Sequence, residues 1–553
     1  MQLPDTASLA DYFLFDRQKE ALGTKTALLY GERQYSYDQV AERARAMTAL
    51  LVRSGIRRGE RVLLILPDAP PFAWAFFGVL ARGAVIAMGN PDASPEQVDY
   101  LVRYTRATAV VTIPRVAEAI AARPLGELVH VWVVPDTQTG EDPEAPVAVP
   151  SHALFSELAP ALREPHDPLA PIAIHRDEPA IWLFTSGSTG EPKANIHSHR
   201  DFIFNTEVYA KETVGYQRDD VTVSVPRLFF GYATGTNLMF PFAVGATVGL
   251  FSERPTPESL RHAIERYRAT VVTNVPTMLG KLLDRDDAAR ASQGGEPLLN
   301  LASVRFSLSA GEALPEALLR RWQARFGSDV YDGIGSAEMF HIYASNRPGD
   351  IKPGSLGRVV QGYELRILPE DAEGAGATPC APGEIGVLWV KGDSVSHGYW
   401  LDRDKSWGTF HGHWCRTGDL FSIDADGYLY FAGRADELLK VSGLWVAPIE
   451  VEECLMKHEA VSLAAVIGSE EGGLMKIKAF VVLRAEARSR ANAAAELELE
   501  LQEFVKSRIA KHKYPRSVEI VDDVPKNDRG KVDRKALRAR VSETREARET
   551  RKS

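Results

Sequence analysis

The sequence predicts an α/β protein with a large N-terminal domain built on mostly parallel, doubly wound sheets and a small second domain. Short apolar runs, such as residues 61–66 and 109–112, alternate with stretches of helical periodicity. With 553 residues, the chain is too long for one hydrophobic core and predicts at least two domains. No fixed repeat period is present, which argues against a solenoid.

The elements of the N-terminal part follow in order. Residues 30–33 predict a hairpin turn, and residues 37–54 predict a helix because their apolar positions follow a helical period. A continuous apolar run at 61–66 predicts a buried strand, and 72–80 a buried helix. Further strands are predicted at 83–88, 109–112, 129–134 and 180–184.

Composition narrows the class of protein. The chain is 45% hydrophobic and 25% charged, values typical of soluble globular proteins. A net charge of −9 argues against a nucleic-acid-binding protein. The cysteines at 380, 415 and 454 form no CxxC pair, so neither a disulfide framework nor a zinc site is expected. With no signal-peptide pattern at the start, we expect a cytoplasmic location.

One uncharged stretch, residues 228–251, is long enough to span a bilayer. Four glycines, Asn237 and Pro241 interrupt it. We therefore expect a loop, a buried helix and a buried strand there, and no membrane partner.

A loop of small residues follows the strand that ends near Phe184. Glycines turn successive N–H groups toward one point and the hydroxyls add donors, an arrangement that binds anions. A polyphosphate is the expected ligand, and the alternative of a flexible surface loop fits less well directly after an apolar strand. A Walker motif is excluded because Gly190 is followed by Glu191 and Pro192. The loop comprises Thr185, Ser186, Gly187, Ser188, Thr189 and Gly190, followed by Lys193.

Aromatic residues beside glycines characterise the segment 226–235. Such a pattern can form the walls of a slot for a flat ring, because glycine lets another group approach the backbone closely. Ordinary core aromatics are the alternative. The candidates are Phe230, Gly231, Tyr232 and Ala233.

Two further strands end in small or polar residues, and the carboxyl ends of strands are where ligands bind in open α/β sheets. They end near residues 273 and 309. The segment 331–338 does not match the GxGxxG pattern of dinucleotide-binding proteins, because Glu338 stands where the third glycine would be. That carboxylate follows two glycines and precedes Met339, a poor setting for a surface acid, which favours a functional role. His341 is equally compatible with a pocket edge and with the core.

The C-terminal third adds polar and basic candidates. Asp419 is an acceptor suited to two vicinal hydroxyls, and residues 426–427 predict a tight hairpin. Residues 434–443 form a charged linker. Helices are predicted at 450–458 and 493–511, and strands at 463–468 and 478–483. Near the end, Gly530 and Lys531 lie in a basic cluster.

Together these motifs resemble, in order, those of the adenylate-forming superfamily of acyl-CoA synthetases, stand-alone adenylation domains and luciferases. The segment 226–235 is similar to the benzoate–CoA ligase branch. This sequence has Gly231 and Ala233 where that branch usually has alanine and glycine, an exchange that would leave extra room beside the ring.

The resemblance implies a role for each matching residue. Lys531, Glu338 and Thr185 would be catalytic, with Glu338 also holding Mg²⁺. Asp436 would be a hinge, and Lys440, Ser442, Gly443 and Trp445 would line the CoA tunnel. Predicted ATP and AMP contacts are residues 185–190, Lys193, Gly311, Glu312, Ala313, Asp332, Gly333, Ile334, Gly335, Ser336, Asp419, Arg434 and Lys531. Predicted acyl contacts are Phe230, Gly231, Tyr232, Ala233, Ser309, Gly311, Gly333, Gly335 and His341.

The resemblance also implies an architecture and a reaction. Residues 1–433 would form an adenylation domain with doubly wound sheets and a β-barrel-like subdomain. Residues 434–443 would form the hinge and tunnel loop, 444–540 a small mobile α/β domain, and 541–553 a charged tail. The implied activity is ATP-dependent ligation of benzoate, 2-aminobenzoate or hydroxybenzoate to CoA, in a monomer or homodimer. A stand-alone enzyme that loads an aryl acid onto a carrier-protein thiol is the alternative.

Overall fold

A computed structural model describes most of the chain. It covers residues 3–170, 172–186, 191–292, 298–434, 437–441, 444–471, 474–484, 487, 494–526 and 532–541.

The described part of the chain forms the following strands. In chain order they are β1 Thr26–Tyr30, β2 Arg33–Ser36, β3 Arg61–Ile65, β4 Val85–Met88, β5 Ala109–Thr112, β6 His130–Val133, β7 Phe155–Glu157, β8 Pro179–Ser186, β9 Pro192–Ser198, β10 Val221–Ser224, β11 Thr247–Leu250, β12 Val271–Asn274, β13 Phe306–Ser309, β14 Asp329–Gly335, β15 Ile342–Ser345, β16 Arg358–Val359, β17 Glu364–Leu368, β18 Gly386–Lys391, β19 Phe410–His411, β20 Trp414–Ile423, β21 Leu429–Arg434, β22 Leu439–Val441, β23 Leu444–Val446, β24 Val461–Glu471, β25 Leu474–Leu483 and β26 Ser517–Ile520.

Helices connect most of these strands. They are α1 Asp16–Lys19, α2 Tyr37–Arg53, α3 Pro70–Ala81, α4 Pro95–Thr105, α5 Pro114–Ala121, α6 Leu158–Arg163, α7 His199–Asn205, α8 Gly231–Thr234, α9 Phe240–Val244, α10 Pro257–Tyr267, α11 Pro276–Ser292, α12 Glu316–Phe326, α13 Arg403–Thr409, α14 Pro448–Met456 and α15 Ala494–Lys506, with π-helical turns at Asp11–Phe15, Thr206–Lys211 and Gly235–Met239 and 3₁₀ turns at Ala337–Met339 and Lys511–Lys513.

Two large sheets form the frame of the N-terminal part. One has seven strands in the order β7-β6-β5-β3-β4-β8-β9, and the other has nine in the order β16-β15-β14-β13-β12-β10-β11-β1-β2. Pairing is parallel through the middle of both sheets and antiparallel only at their edges, as at β8–β9 and β14–β15. The predicted mostly parallel α/β class is therefore confirmed.

Local sequence explains how individual elements begin. Helix α2 opens with a capping box in which the Ser36 hydroxyl accepts from the Gln39 N–H, and the Gln39 side chain accepts from the Ser36 N–H. Helix α3 begins with two prolines and is buried almost all round, as its continuous apolar sequence predicts. The hairpin at 30–33 is confirmed by the antiparallel pair Tyr30 and Arg33.

The remaining sheets are smaller. A five-stranded antiparallel sheet has the strand order β17-β18-β20-β19, with β21 beside β20. It occupies the part of the chain where the barrel-like subdomain is predicted. The C-terminal part has the three-stranded sheet β24-β25-β26, flanked by α14 and α15 around a separate apolar cluster. This is the small α/β unit that the sequence predicts.

Two segments bear on the predictions for apolar and helical stretches. The uncharged stretch 228–251 folds as short helical turns followed by β11, and among the helices of the described ranges none has the length and apolar character needed to cross a bilayer. The long helix predicted to reach residue 511 ends at Lys506. There the Ser507 hydroxyl donates to the Phe504 carbonyl and competes with the helical hydrogen-bond pattern.

Candidate functional site

The candidate site lies at the carboxyl ends of three neighbouring parallel strands. Asn274 at the end of β12 pairs with Ser309 at the end of β13, and Ser309 pairs with Asp332 on β14. This register brings together the two predicted strand ends and the predicted motif at 331–338. It is also the edge at which open α/β sheets bind ligands.

The predicted phosphate loop connects two antiparallel strands, β8 and β9, in which Thr185 pairs with Lys193. The Lys193 ammonium lies 2.5 Å from the Asp402 carboxylate, so its charge already has a protein partner. Residues 187–190, predicted as phosphate donors, lie outside the described residues, as does the side chain of Ser186.

The turn after β13 is held by a carboxylate. Gly311 adopts a positive φ of 91°, which favours glycine at this position. The next residue, Glu312, accepts hydrogen bonds from the N–H (3.2 Å) and the hydroxyl (2.7 Å) of Thr277. The Glu312 side chain therefore ties this turn to the start of α11.

A tight turn after β14 separates two predicted functional side chains. A methyl group on Gly335 would lie 2.4 Å from the His341 carbonyl oxygen, so only glycine fits there. Phe340 adopts a φ of +65°, a strained value for a bulky residue. Glu338 precedes this strained residue and His341 follows it. One short turn thus presents the predicted ATP-side carboxylate and the predicted acyl-side imidazole.

Glu338 is held by groups that are distant in sequence. The Tyr399 hydroxyl donates to its Oε1 at 2.7 Å, and the Ser396 N–H donates to its backbone carbonyl at 2.9 Å. The Lys405 ammonium lies over the Tyr399 ring, 4.7 Å from its centroid. Burial and the nearby charge of Lys193 lower the pKa of Lys405, while Glu338 opposes that effect. The carboxylate therefore lies partly buried, with the Lys405 ammonium among its charged neighbours.

His341 is buried, with 2% of its surface exposed. Its Nε2 lies 3.0 Å from the Tyr232 carbonyl oxygen, and its ring packs against those of Phe240, Tyr209 and Tyr232, with centroids 4.7, 5.5 and 5.3 Å away. Burial lowers the pKa of His341 to about 3, which keeps the ring neutral. A methyl group on Gly235 would lie 2.6 Å from this ring, so the glycine makes the close packing possible.

Asp332 is a second perturbed group. Burial raises the pKa of its carboxyl to about 8, although the Ser309 hydroxyl and the N–H groups of Leu314 and Gly333 favour the ionised form. The side chain is 3% exposed. A carboxyl group that titrates near neutral pH at a strand end is typical of a functional site.

The aromatic segment meets the phosphate-loop strand. A methyl group on Gly231 would lie 3.3 Å from both terminal methyls of Leu183, which precedes the predicted loop. The room that glycine leaves here is thus bounded by Leu183. Phe229 and Phe230 pack ring to ring at 4.2 Å, and Ala233 is buried.

The predicted ribose-binding pair lies together. Asp419 and Arg434 face each other across β20 and β21, with a carboxylate oxygen 3.4 Å from the guanidinium. In the next strands, Lys440 pairs with Trp445 in register, although their side chains lie outside the described part of the structure. Asp436, Ser442, Gly443 and Lys531 also lie outside it. Lys526 and Val532, which flank the predicted catalytic lysine, form an antiparallel bridge.

Sequence reasoning missed three residues of this neighbourhood: Tyr399, Asp402 and Lys405. They lie on and before a short helix, α13, and contact Glu338, Lys193 and the Tyr399 ring respectively. No spacing rule links them to motifs some 60 to 210 positions earlier. The clustering of charged and aromatic residues at 399–405 is the only signal that could have identified them.

Glu338 is the residue predicted to bind a metal ion. Among the described residues, no three His, Cys, Asp or Glu side chains come together as a metal cluster. Mg²⁺ commonly takes one or two carboxylates and completes its shell with substrate phosphates and water. A single carboxylate that accepts one hydrogen bond on Oε1 fits that mode of binding.

Comparison with known proteins agrees with this geometry. The family model of AMP-binding enzymes matches residues 15–400, and that of the AMP-binding enzyme C-terminal domain matches residues 450–531. A benzoate–CoA ligase of Thauera aromatica is 37% identical over 545 residues, 98% of this chain and 97% of the relative.

Solved structures give the same result. The anthranilate CoA ligase AuaEII in complex with anthranoyl-AMP is 33% identical, with a TM-score of 0.87 over 98% of this chain and 99% of that one. A benzoate CoA ligase from Burkholderia xenovorans LB400 is 34% identical, with a TM-score of 0.83 over 96% of this chain and 100% of that one. The resemblance drawn from the sequence is confirmed: this chain belongs to the family of AMP-binding, adenylate-forming enzymes, among the aryl-CoA ligases.

Proposed function

We propose that this protein is an aryl acid–CoA ligase. It uses ATP to convert a benzoate-type carboxylic acid into an acyl adenylate and then into a CoA thioester, and it releases pyrophosphate and AMP. The relatives named benzoate–CoA ligase and anthranilate–CoA ligase, which match 98% and 87% of this chain, support this reaction. Benzoate, 2-aminobenzoate and hydroxybenzoates are the candidate acids.

The observation that carries the proposal is the turn between β14 and β15. Glu338 before Phe340 accepts a hydrogen bond from Tyr399 and lies near the Lys405 ammonium, and His341 after it is enclosed by aromatic rings. An enzyme that joins a nucleotide to an aromatic acid needs a charged region beside a flat apolar one. This turn supports both within a few residues.

In the first step, a carboxylate oxygen of the acid attacks the α-phosphorus of ATP and pyrophosphate leaves. Two anions must approach each other, and uncompensated charges would repel by several kcal/mol at intermediate dielectric. We propose that the 185–190 loop and Lys531 supply donors and positive charge for the phosphates. Removing one donor of this kind typically lowers the rate by about 10²–10³.

Glu338 is the residue proposed to hold Mg²⁺, which would neutralise phosphate charge when bound. Tyr399 would orient the carboxylate through its hydrogen bond, leaving Oε2 for a ligand. The Asp419–Arg434 pair, with its carboxylate and guanidinium 3.4 Å apart, is the proposed ribose contact.

In the second step, the CoA thiol attacks the acyl carbon and AMP leaves with the carboxylate oxygen. Water must be excluded because an acyl adenylate hydrolyses. We propose that residues 444–540 turn about Asp436 between the steps, which replaces Lys531 with the tunnel residues Lys440, Ser442, Gly443 and Trp445. The three free cysteines, two of them buried, suit the reducing cytoplasm proposed as its location.

The proposal is tested with a panel of aryl acids incubated with ATP, Mg²⁺ and CoA. The expected result is AMP release that depends on both the acid and CoA, with an aroyl-CoA product identified by mass. A related p-hydroxybenzoic acid–AMP ligase, 30% identical over 95% of this chain, is named for adenylate formation without CoA, and this name supports the carrier-protein alternative. Adenylate formation with no thioester from CoA would favour that alternative and contradict the ligase proposal.

A further inference from the structure

A buried histidine connects the strand that leaves the predicted phosphate loop to the turn that carries Glu338. His197 lies on β9, which begins at Pro192 directly after that loop, and none of its surface is exposed. Its Nε2 lies 2.6 Å from the carbonyl oxygen of Ala337, the residue before Glu338. The contact joins residues 140 positions apart, and none of the proposed steps uses it.

The hydrogen bonds of His197 determine which of its atoms donates. A carbonyl oxygen only accepts, so the proton shared with Ala337 is assigned to Nε2. Nδ1 lies 2.7 Å from the carboxylate of Asp201, a residue that is 1% exposed. The same carboxylate accepts from the N–H of Ser198 at 3.1 Å and from its hydroxyl at 2.6 Å. Asp201 therefore fixes the orientation of the ring and directs Nε2–H toward Ala337, as carboxylates do for histidines in metal sites.

Each of the three carbonyl groups in the turn Ala337–Met339 accepts a hydrogen bond from a different residue outside the turn. In the order of the carbonyls, the donors are the His197 ring at 2.6 Å, the Ser396 N–H at 2.9 Å and the Ser394 hydroxyl at 2.8 Å. The His197 ring also packs edge to face against Phe340, with centroids 6.5 Å apart. Since Phe340 has the strained positive φ, His197 supports the turn on both sides of Glu338.

Strand β9 reaches Glu338 by a second route. Asn195 forms an antiparallel bridge with Tyr399, and the His397 N–H donates to the Ile196 carbonyl at 2.9 Å. The hydroxyl of Tyr399 in turn donates to the Glu338 carboxylate. The strand that begins at the proposed phosphate contacts therefore holds the turn before Glu338 through His197, and the partner of its carboxylate through Asn195.

Resting on the proposed function, we infer that His197 is a positioning residue that couples the phosphate-loop strand to the metal-binding turn. By donating Nε2–H to the Ala337 carbonyl, it sets the separation between the phosphates proposed to bind at 185–190 and the Mg²⁺ proposed to bind at Glu338. An apolar side chain of similar size would fill the space but leave a buried carbonyl unpaired. Loss of such outer contacts typically costs about 10–100-fold in metal affinity or activity.

The test measures binding of an ATP analogue that has a methylene group between its α- and β-phosphorus atoms, by calorimetry over a range of Mg²⁺ concentrations. Two variants divide the contacts of the ring, because the amide nitrogen of glutamine can take the place of Nε2 and that of asparagine the place of Nδ1. His197→Asn keeps a donor for Asp201 and loses the one for Ala337, so the Mg²⁺ concentration for half-maximal binding should rise by about tenfold or more. His197→Gln keeps the donor for Ala337, so this concentration should stay within about threefold of the native value.

Thermal unfolding of both variants separates positioning from stability. Each variant loses one hydrogen bond of a buried group, so both melting temperatures should fall. His458→Gln is the matched control, because His458 is also buried and lies 3.0 Å from a carboxylate, that of Glu500. It should leave the Mg²⁺ dependence unchanged. Equal Mg²⁺ dependence in the two His197 variants, or a shift in His458→Gln as large as that in His197→Asn, would overturn the inference.

Amide hydrogen exchange of the native protein gives a second measurement that needs no variant. With the analogue bound, addition of Mg²⁺ should slow exchange in residues 196–203, which contain His197 and Asp201, as well as in 337–341. Slowing confined to 337–341 would overturn the inference. Because neither measurement needs an aryl acid, the expected Mg²⁺ effects in a protein that turns over no aryl acid would overturn the ligase proposal alone, whereas no binding of the analogue with Mg²⁺ would overturn both.

Discussion

The hydroxyl of Tyr399 donates a 2.7 Å hydrogen bond to the carboxylate of Glu338, which lies 61 positions earlier in the chain. Hydrogen bonds to charged groups contribute about 1.5–3 kcal/mol, so this contact fixes the orientation of the proposed metal ligand. We predict that Tyr399→Phe lowers acid-dependent exchange of pyrophosphate into ATP by about tenfold, with a higher Mg²⁺ requirement. Exchange assays across a Mg²⁺ titration measure both effects.

A second tyrosine–carboxylate pair provides the control for that prediction. Tyr428 donates to Asp350 in the same part of the fold, but neither residue is a predicted site residue. Tyr428→Phe should leave the Mg²⁺ dependence of exchange unchanged. If both variants behave alike, the Tyr399 contact is structural and does not serve the reaction.

The buried carboxyl group of Asp68 should make the stability of the protein depend on pH. It is 3% exposed, accepts from the Leu228 N–H at 3.0 Å and faces Arg227 at 3.7 Å, so it holds the loop that leads into the aromatic segment. Burial raises the pKa of this carboxyl to about 6 from its ordinary 3.8, so the folded state binds more protons than the unfolded state between these values. The free energy of unfolding should therefore fall by about 2 kcal/mol from this group as pH rises from about 4 to 6.

Denaturant unfolding of the native protein and of Asp68→Asn at several pH values measures this contribution. Asparagine keeps an oxygen acceptor for Leu228 but does not titrate, so the stability curve of the variant should lack the part of the fall between pH 4 and 6 that Asp68 contributes. Parallel curves for the two proteins would show that Asp68 does not titrate as the structure indicates.

Lys531 separates the two half-reactions. We predict that Lys531→Ala reduces acid-dependent pyrophosphate exchange by at least about 10²-fold, because a donor to the reacting phosphate is lost. Thioester formation from a chemically supplied aroyl adenylate should continue. Lys535→Ala, which changes an exposed lysine four positions later, is the control and should preserve both steps. Equal loss of both steps in the Lys531 variant would contradict the proposed division of roles.

Substitution of Gly443 should have the opposite effect, with the first half-reaction preserved and the second slowed. A tryptophan at this position should obstruct the proposed thiol tunnel, leaving pyrophosphate exchange within about twofold and slowing thioester formation by about tenfold or more. Stopped assays of CoA thioester from supplied adenylate measure the second step. The control is Gly376→Trp, at an exposed glycine where an added Cβ has no described neighbour within 4 Å. Unchanged thioester kinetics in the Gly443 variant would contradict the assignment of Gly443 to the thiol tunnel.

Much of the fold could be predicted because its signals are local. The continuous apolar run at 61–66 forms β3, the helical periodicity at 37–54 forms α2, and Asp426–Gly427 makes the turn between β20 and β21. Glycines at 235 and 335 mark close backbone approaches that the structure contains. In each case a few adjacent residues determine the conformation.

Contacts between distant residues could not be predicted in this way. Tyr399 with Glu338, Asp402 with Lys193, and Asp68 with Leu228 depend on the packing of separate sheets, for which no periodicity carries a signal. The sequence is compatible with either a core or a pocket position for His341; the structure encloses its ring in aromatic side chains and gives its Nδ1 no hydrogen-bond partner among the described residues. The roles of the individual site residues stay predictions.

The formation of an acyl adenylate is tested most directly by isotope transfer. The preferred aryl acid, labelled with ¹⁸O in both carboxylate oxygens, is incubated with ATP, Mg²⁺ and CoA, and the AMP is examined by mass spectrometry. Attack of the carboxylate on the α-phosphorus predicts AMP that carries one ¹⁸O atom per turnover. Unlabelled AMP, or ADP with the label in phosphate, would contradict the proposed reaction.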